Sequence, residues 1–207
     1  MYSNYGELSP IALDCLKEIG NIGSGSAASA LSQMLGKSVQ MRVPDVKVLD
    51  FDEVIEEMGG PEKIITGILV DLSVDICGII MFLLEDSFAN IALNTFLGKD
   101  YVHAADLDEM DYSVIKEMGN IMAGSYLQAI SKLTDLTIDM STPSMNVDML
   151  GAIMSVPVAT FAEVGDKVLY INDGFVIDGV DIKSNIILIP DMESLDTLMK
   201  KLGVIDG

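Results

Sequence analysis

Residues 17–44 read KEIGNIGSGSAASALSQMLGKSVQMRVP, and residues 116–143 read KEMGNIMAGSYLQAISKLTDLTIDMSTP. The two stretches align without a gap at an offset of 99. Among the identical pairs are Glu18/Glu117, Gly20/Gly119, Asn21/Asn120, Gly25/Gly124, Met41/Met140 and Pro44/Pro143. A repeat this long marks a duplicated half rather than a solenoid, whose units run to roughly 50 residues at most. A repeated apolar pattern needs only packing as its cause. A repeated Glu-x-x-Asn with polar neighbours needs another reason.

Working outward, Ser9-Pro10 is a helix start, with Ser as N-cap and Pro at the first helical position. The helix is predicted to reach Leu35, with Gly36 as its cap. From Ser38 the pattern alternates, Val39, Met41 and Val43 against Gln40 and Arg42, which predicts a strand that Pro44 ends or holds at an edge. Residues 51–58 read as a short helix, 64–74 and 76–84 as strands turning near Asp75, and 86–97 as a helix capped by Asp86 and stopped by Gly98. Residues 99–107 form a linker that carries the only histidine, His103, read there as solvated. The second half repeats the order: helix 108–133, strand 136–141, a helical segment 147–164 kinked or broken by Pro157, strands 167–171 and 185–189, and helix 191–202. The expected fold class is α/β (α+β). Two pseudo-symmetric α-β-α-β-β-α halves, about 8–98 and 107–203, share a central sheet covered by helices in one domain over 1–207.

Composition narrows the partners. A hydrophobic fraction of 50% in 207 residues supplies ample core, and the 14 Met fill space adaptably. The formal net charge of -20 excludes a nucleic-acid backbone or an anionic membrane as a natural partner, since both need clustered cations. Cys15 and Cys77 have no metal or redox spacing and are expected to be buried free thiols in a reducing cytoplasm. The first ten residues lack the basic and apolar regions of a signal peptide, and no apolar run approaches the roughly 20 residues of a membrane span.

On a helical wheel Asp14, Glu18, Asn21 and Gly25 fall within about 60° of one another, opposite Leu16 and Ile19. The second copy places Ser113, Glu117, Asn120 and Gly124 on the same stripe. Mid-helix Asn and Gly both work against helix stability, Gly by about 1 kcal/mol relative to Ala. Glycines on an open face are expected to admit the close approach of another surface. Three chemistries are disfavoured. Gly23-Ser24-Gly25-Ser26-Ala27-Ala28 matches a dinucleotide fingerprint but lies inside a helix rather than after a strand, and the second copy lacks the first Gly. Glu-x-x-Asn is a poor metal donor set. The lone linker histidine leaves no Ser/His/Asp or Cys/His nucleophile. What remains is a carboxylate and a carboxamide about 4.5 Å apart along one helix face. The first can pair with a partner's Lys. The second both donates and accepts, so it can orient a water, as a Gln does in some phosphate-hydrolysing sites.

At these residues the chain resembles the CheC family of chemotaxis phosphatases, which includes CheX and FliY. The family motif, Asp/Ser-x3-Glu-x2-Asn-x22-Pro, is met by Asp14, Glu18, Asn21 and Pro44 and again by Ser113, Glu117, Asn120 and Pro143, with every spacing kept. Two intact motifs in a chain of this length look like the CheC branch, since CheX carries one and FliY has further domains. The resemblance implies a hydrolase acting on the aspartyl phosphate of a CheY-like response regulator. Glu18 and Glu117 would dock to the regulator's Lys, and Asn21 and Asn120 would orient the attacking water. Asp14, Ser113, Pro44 and Pro143 would shape the helix and the strand after it. The resemblance further implies no cofactor of the chain's own, Mg²⁺ supplied by the regulator, and CheD, a receptor-modifying deamidase, as a second partner. The rival expectation is a non-catalytic protein that sequesters phosphorylated regulator or CheD.

Overall fold

A computed structural model describes residues 4–100, 107–161 and 167–204. His103 and the end of the predicted 147–164 helix lie outside them. After a 3₁₀ turn at Tyr5–Glu7, α1 runs Pro10–Leu35. The Ser9 hydroxyl accepts a hydrogen bond from the Ala12 N–H, and Gly36 ends the helix at φ 63°, a left-handed conformation that suits glycine. There follow β1 (Val39–Met41), β2 (Asp45–Asp50), α2 (Phe51–Glu57), β3 (Ile64–Val74), β4 (Gly78–Leu84) and α3 (Asp86–Leu97). The second half is α4 (Glu109–Thr134), β5 (Ile138–Met140), β6 (Ser144–Met149), α5 (Leu150–Phe161), β7 (Lys167–Ile177), β8 (Val180–Pro190) and α6 (Met192–Lys201).

Each half therefore runs α-β-β-α-β-β-α, with one strand more than expected. The additional strands, β2 and β6, continue β1 and β5 past the repeated proline. Met41 lies opposite Phe175 and Asp45 opposite Asn172, so three residues of the edge face two of β7. Met140 opposite Leu72 and Ser144 opposite Leu69 repeat that bulge against β3. Proline gives the ladder no N–H, and a bulge at a sheet edge absorbs the loss. Pairing to β3 also overrides the helical reading of 147–149. Helix α5 starts only at Leu150 and passes through Pro157. Glu85 rather than Asp86 holds the cap position of α3, with its carboxylate 2.5 Å from Lys63 Nζ instead of on the helix N–H groups. Cys15 and Cys77 are free, as expected, but half-buried.

The strands form one eight-stranded sheet in the order β1–β7–β8–β4–β3–β5, with β2 on β7 and β6 on β3. Every pairing is antiparallel. The halves meet where β4 pairs β8. They also exchange their edges: β1 and β2 of the first half pair with β7 of the second, and β5 and β6 of the second pair with β3 of the first. Neighbouring residues on a strand point to opposite faces. Ile68 meets α4 at Gly119 while Gly67 meets α5 at Ile153, so α4 and α5 lie on opposite faces; α2 packs with α5, and α3 packs against α4. Helices α1 and α4 pack on each other. Met34, near the end of α1, shares a groove with Val114 and Glu117 near the start of α4, so the two run antiparallel.

Candidate functional site

Both motifs are surfaces of a long helix beside a bulged edge strand. Gly20 is buried, and a Cβ there would lie 3.3 Å from Val46 and 3.8 Å from Pro44. Pro44 and Pro143 are themselves buried. At the equivalent Gly119 a Cβ would lie 2.3 Å from Ile68. The glycine before each Asn thus seats the helix on the sheet and turns the next residue outward along the edge. Asn21 and Asn120 are half-buried, and Glu18 and Glu117, one turn earlier, are exposed. Among the described residues none of these four side chains has a hydrogen bond or ion pair. Such a carboxylate and carboxamide keep their full bonding capacity for an incoming partner.

The remaining motif residues are occupied locally. Asp14, 76% exposed, pairs with Lys17 at 3.5 Å. The Ser113 hydroxyl donates to the Glu109 carbonyl at 2.8 Å. Neither is tied to the Glu or the Asn. The stripe glycines depart from expectation, because the gap above each is filled from within its own half. A Cβ at Gly25 would lie 3.3 Å from Met41 Sδ, and one at Gly124 3.8 Å from Met140 Cε. Two identities of the repeat, the glycine and the methionine, are therefore one contact. Gly23, part of the dinucleotide-like run, lies against the Tyr126 ring of α4, where a Cβ would come within 2.5 Å. That glycine is a helix-packing residue.

Below this crossing Ser24, Tyr126 and Asp173 are buried. Asp173 Oδ1 accepts from the Gly174 N–H at 2.7 Å, while Oδ2 has no hydrogen-bond partner among the described residues. Burial pushes the Asp173 carboxyl up to about 6, and the neighbouring Ser24 hydroxyl and Gly174 N–H pull it only partway back. Burial, then the Asp173 charge, push the Tyr126 hydroxyl up. No local pattern announces this cluster, because its members are far apart along the chain.

The two sites are not equivalent. Val43, in the first bulge, is 84% exposed, where the repeat has Thr142. Glu117 lies beside a groove of about 260 Å³ lined by Met34, Phe96, Ser113 and Val114. Among the described residues no three His, Cys, Asp or Glu side chains group as a metal site. Among the same residues no helix is long and apolar enough to cross a membrane.

Two motif-bearing helices paired on one curled antiparallel sheet define a protein of the FliY and FliM class of fold. The crystal structure of Thermotoga maritima FliY superposes with a TM-score of 0.75 at 25% identity, covering 95% of this chain and 98% of that one. The FliM middle domain from H. pylori superposes with a TM-score of 0.69, covering 94% and 99%, but at 11% identity, which shows the fold alone. Within that class the chain belongs to the CheC-like family. The family model matches residues 11–48 and 110–147, the two motif-bearing segments. The CheY-P phosphatase CheC of Bacillus subtilis (strain 168) is 33% identical over 196 residues, 92% of this chain and 93% of that protein. The flagellar motor switch phosphatase FliY of the same strain is 31% identical over 142 residues, 68% of this chain but 37% of FliY.

Proposed function

We propose that this chain is a chemotaxis phosphatase that hydrolyses the aspartyl phosphate of a CheY-like response regulator at two sites, Glu18/Asn21 and Glu117/Asn120. The observation that carries the reading is the unpartnered Glu and Asn, one turn apart on an outward helix face, present in both halves. The name of the Bacillus subtilis relative, a CheY-P phosphatase, supports the substrate. The helix docks as a rigid element. Glu pairs with the regulator's Lys, and the Asn enters the phosphate site, where its carboxamide holds a water in line with the phosphorus. The regulator supplies the acyl phosphate and the Mg²⁺ that neutralises it. This chain supplies position, and fixing a reactant's geometry lowers the barrier without covalent chemistry on the phosphatase. Such a reaction belongs to the cytoplasm. Family membership supports CheD as a second partner, tested by titrating CheD into the chain and following heat and turnover.

The test is release of phosphate from phosphorylated Bacillus subtilis CheY at substoichiometric chain. Asn21→Ala and Asn120→Ala each silence one site, and the double variant loses turnover by a factor on the order of 10² or more. Full activity in the double variant would sink the mechanism, and a chain that binds without speeding phosphate loss would be a sequestering protein instead.

A further inference from the structure

Most large apolar side chains of α1 and α4 are buried or half-buried, with one exposed pair standing at equivalent positions. Ile11 is 67% exposed and Met110 is 60% exposed. They are separated by the repeat offset of 99, and each is the second residue of its helix. An exposed position in the first turn is where an acidic side chain stabilises the helix dipole. This chain has 32 Asp and Glu to draw on, yet both copies place a large apolar group there. Neither side chain serves the core. Each lies on the active stripe: Ile11 falls within about 20° of Glu18 on the wheel, and Met110 stands in the same relation to Glu117. Along the axis each apolar group sits about 10 Å before the Glu and about 15 Å before the Asn.

We propose that Ile11 and Met110 are apolar anchors of the two docking surfaces, each seated against an exposed apolar patch of the phosphorylated regulator. The inference rests on the phosphatase reading above and deepens it. That patch lies about 10 Å from the regulator's Lys, the spacing of the anchor from Glu along the helix. The occupant is the regulator rather than a second copy of this chain because the anchor continues the Glu–Asn stripe, and a partner that reaches both Glu and Asn covers it. The duplication is the second, independent mark: two helices of different sequence keep an apolar group at the same place relative to Glu and Asn. The anchors are positioning residues. They set how long the helix stays docked, while Asn sets what happens in the phosphate site, so they act on KM and leave kcat alone.

The experiment separates the sites. Ile11→Gln is made in the full-length chain carrying Asn120→Ala, and Met110→Gln in the chain carrying Asn21→Ala. Turnover of phosphorylated Bacillus subtilis CheY is followed across regulator concentrations. The expected result is a KM raised about tenfold in each case, with kcat within about twofold of its parent, because desolvation of one large side chain is lost. Ile11→Leu and Met110→Leu keep the parental KM. Thermal melts hold at the parental midpoint, since neither side chain is buried. An unchanged KM in the Gln variants, or a fall in kcat alone, overturns the inference and leaves the phosphatase reading standing. Full turnover in the Asn21→Ala/Asn120→Ala double variant removes both.

Discussion

Asp173 shows how a single buried group sets a pH dependence of stability. Its carboxyl stands at about 6 in the fold against an ordinary 3.8, so the folded chain holds its proton more tightly than the unfolded one. A raised carboxyl pKa contributes stability that is fully present below the unfolded value and lost as pH climbs through the folded value. Above about pH 6 the fold therefore carries an ionised, half-satisfied carboxylate. Asp173→Asn removes the titration. Relative to the parent, it is expected to gain up to about 3 kcal/mol between about pH 4 and about pH 7.5, the linkage of a shift near two pH units. Urea denaturation of both proteins at the two pH values measures the difference, and other titrating groups cancel in it. A parallel pair of stability profiles would show that Asp173 is solvated after all. The Glu and Asn of the two motifs are proposed to act on turnover rather than on stability. Glu18, Asn21, Glu117 and Asn120 make no intramolecular bond among the described residues, so their substitution is expected to alter turnover while stability holds.

The packing of α1 on α4 is an element-scale device with one tight point. Gly23 leaves room for the Tyr126 ring, which also meets Phe82 edge-on with centroids 6.3 Å apart. Gly23→Ala brings two opposed effects. Alanine favours the helix by about 1 kcal/mol. The new Cβ comes 2.5 Å from a ring held on every side, and overpacking of this kind costs about 1–3 kcal/mol. The clash wins because Tyr126 is fully buried and has nowhere to swing. The expected outcome is a Tm lowered by a few degrees, at about 2–4 °C per kcal/mol for a chain of this size. Combining it with Tyr126→Leu should cost less than the two separate losses added, a coupling that thermal melts of the four proteins measure. Helices of this kind were legible in the sequence because caps and periodicity are local: Ser9, Pro10 and Gly36 bound α1 as read. The strands β2 and β6 were not. They are edges held only by pairing to β7 and β3, and a proline stands before each. The Glu–Asn stripe was legible because a wheel needs only spacing. The reason for Gly25 and Gly124 was not, since their neighbours Met41 and Met140 lie on the next strand.

At the scale of the whole molecule the repeat in sequence is not a division in space. The shared central sheet is expected from the repeat, and beyond sharing it each half lends its edge strands to the other. β1 and β2 complete the β7–β8 hairpin, and β5 and β6 complete β3–β4. Across the middle, β4 and β8 pair from Gly78 against Pro190 to Leu84 against Ser184. Tyr5 adds a further tie, its hydroxyl donating to the carbonyl of Pro190. A separated half would keep a hairpin with both edges bare and two edge strands with nothing to pair. Bare apolar edges such as β4, buried along nearly its whole length, aggregate rather than persist in water. Two fragments cut within 101–106 are therefore expected to be unfolded or aggregated when expressed apart. When they are co-expressed, both motifs should recover together, because each helix needs strands from the other fragment beneath it. Circular dichroism of each fragment, followed by phosphate release from the reconstituted pair, tests this. A first half that folds alone and keeps its turnover would mean that the exchange of edges is dispensable, and that the half was an independent unit in the fold as it is in the sequence.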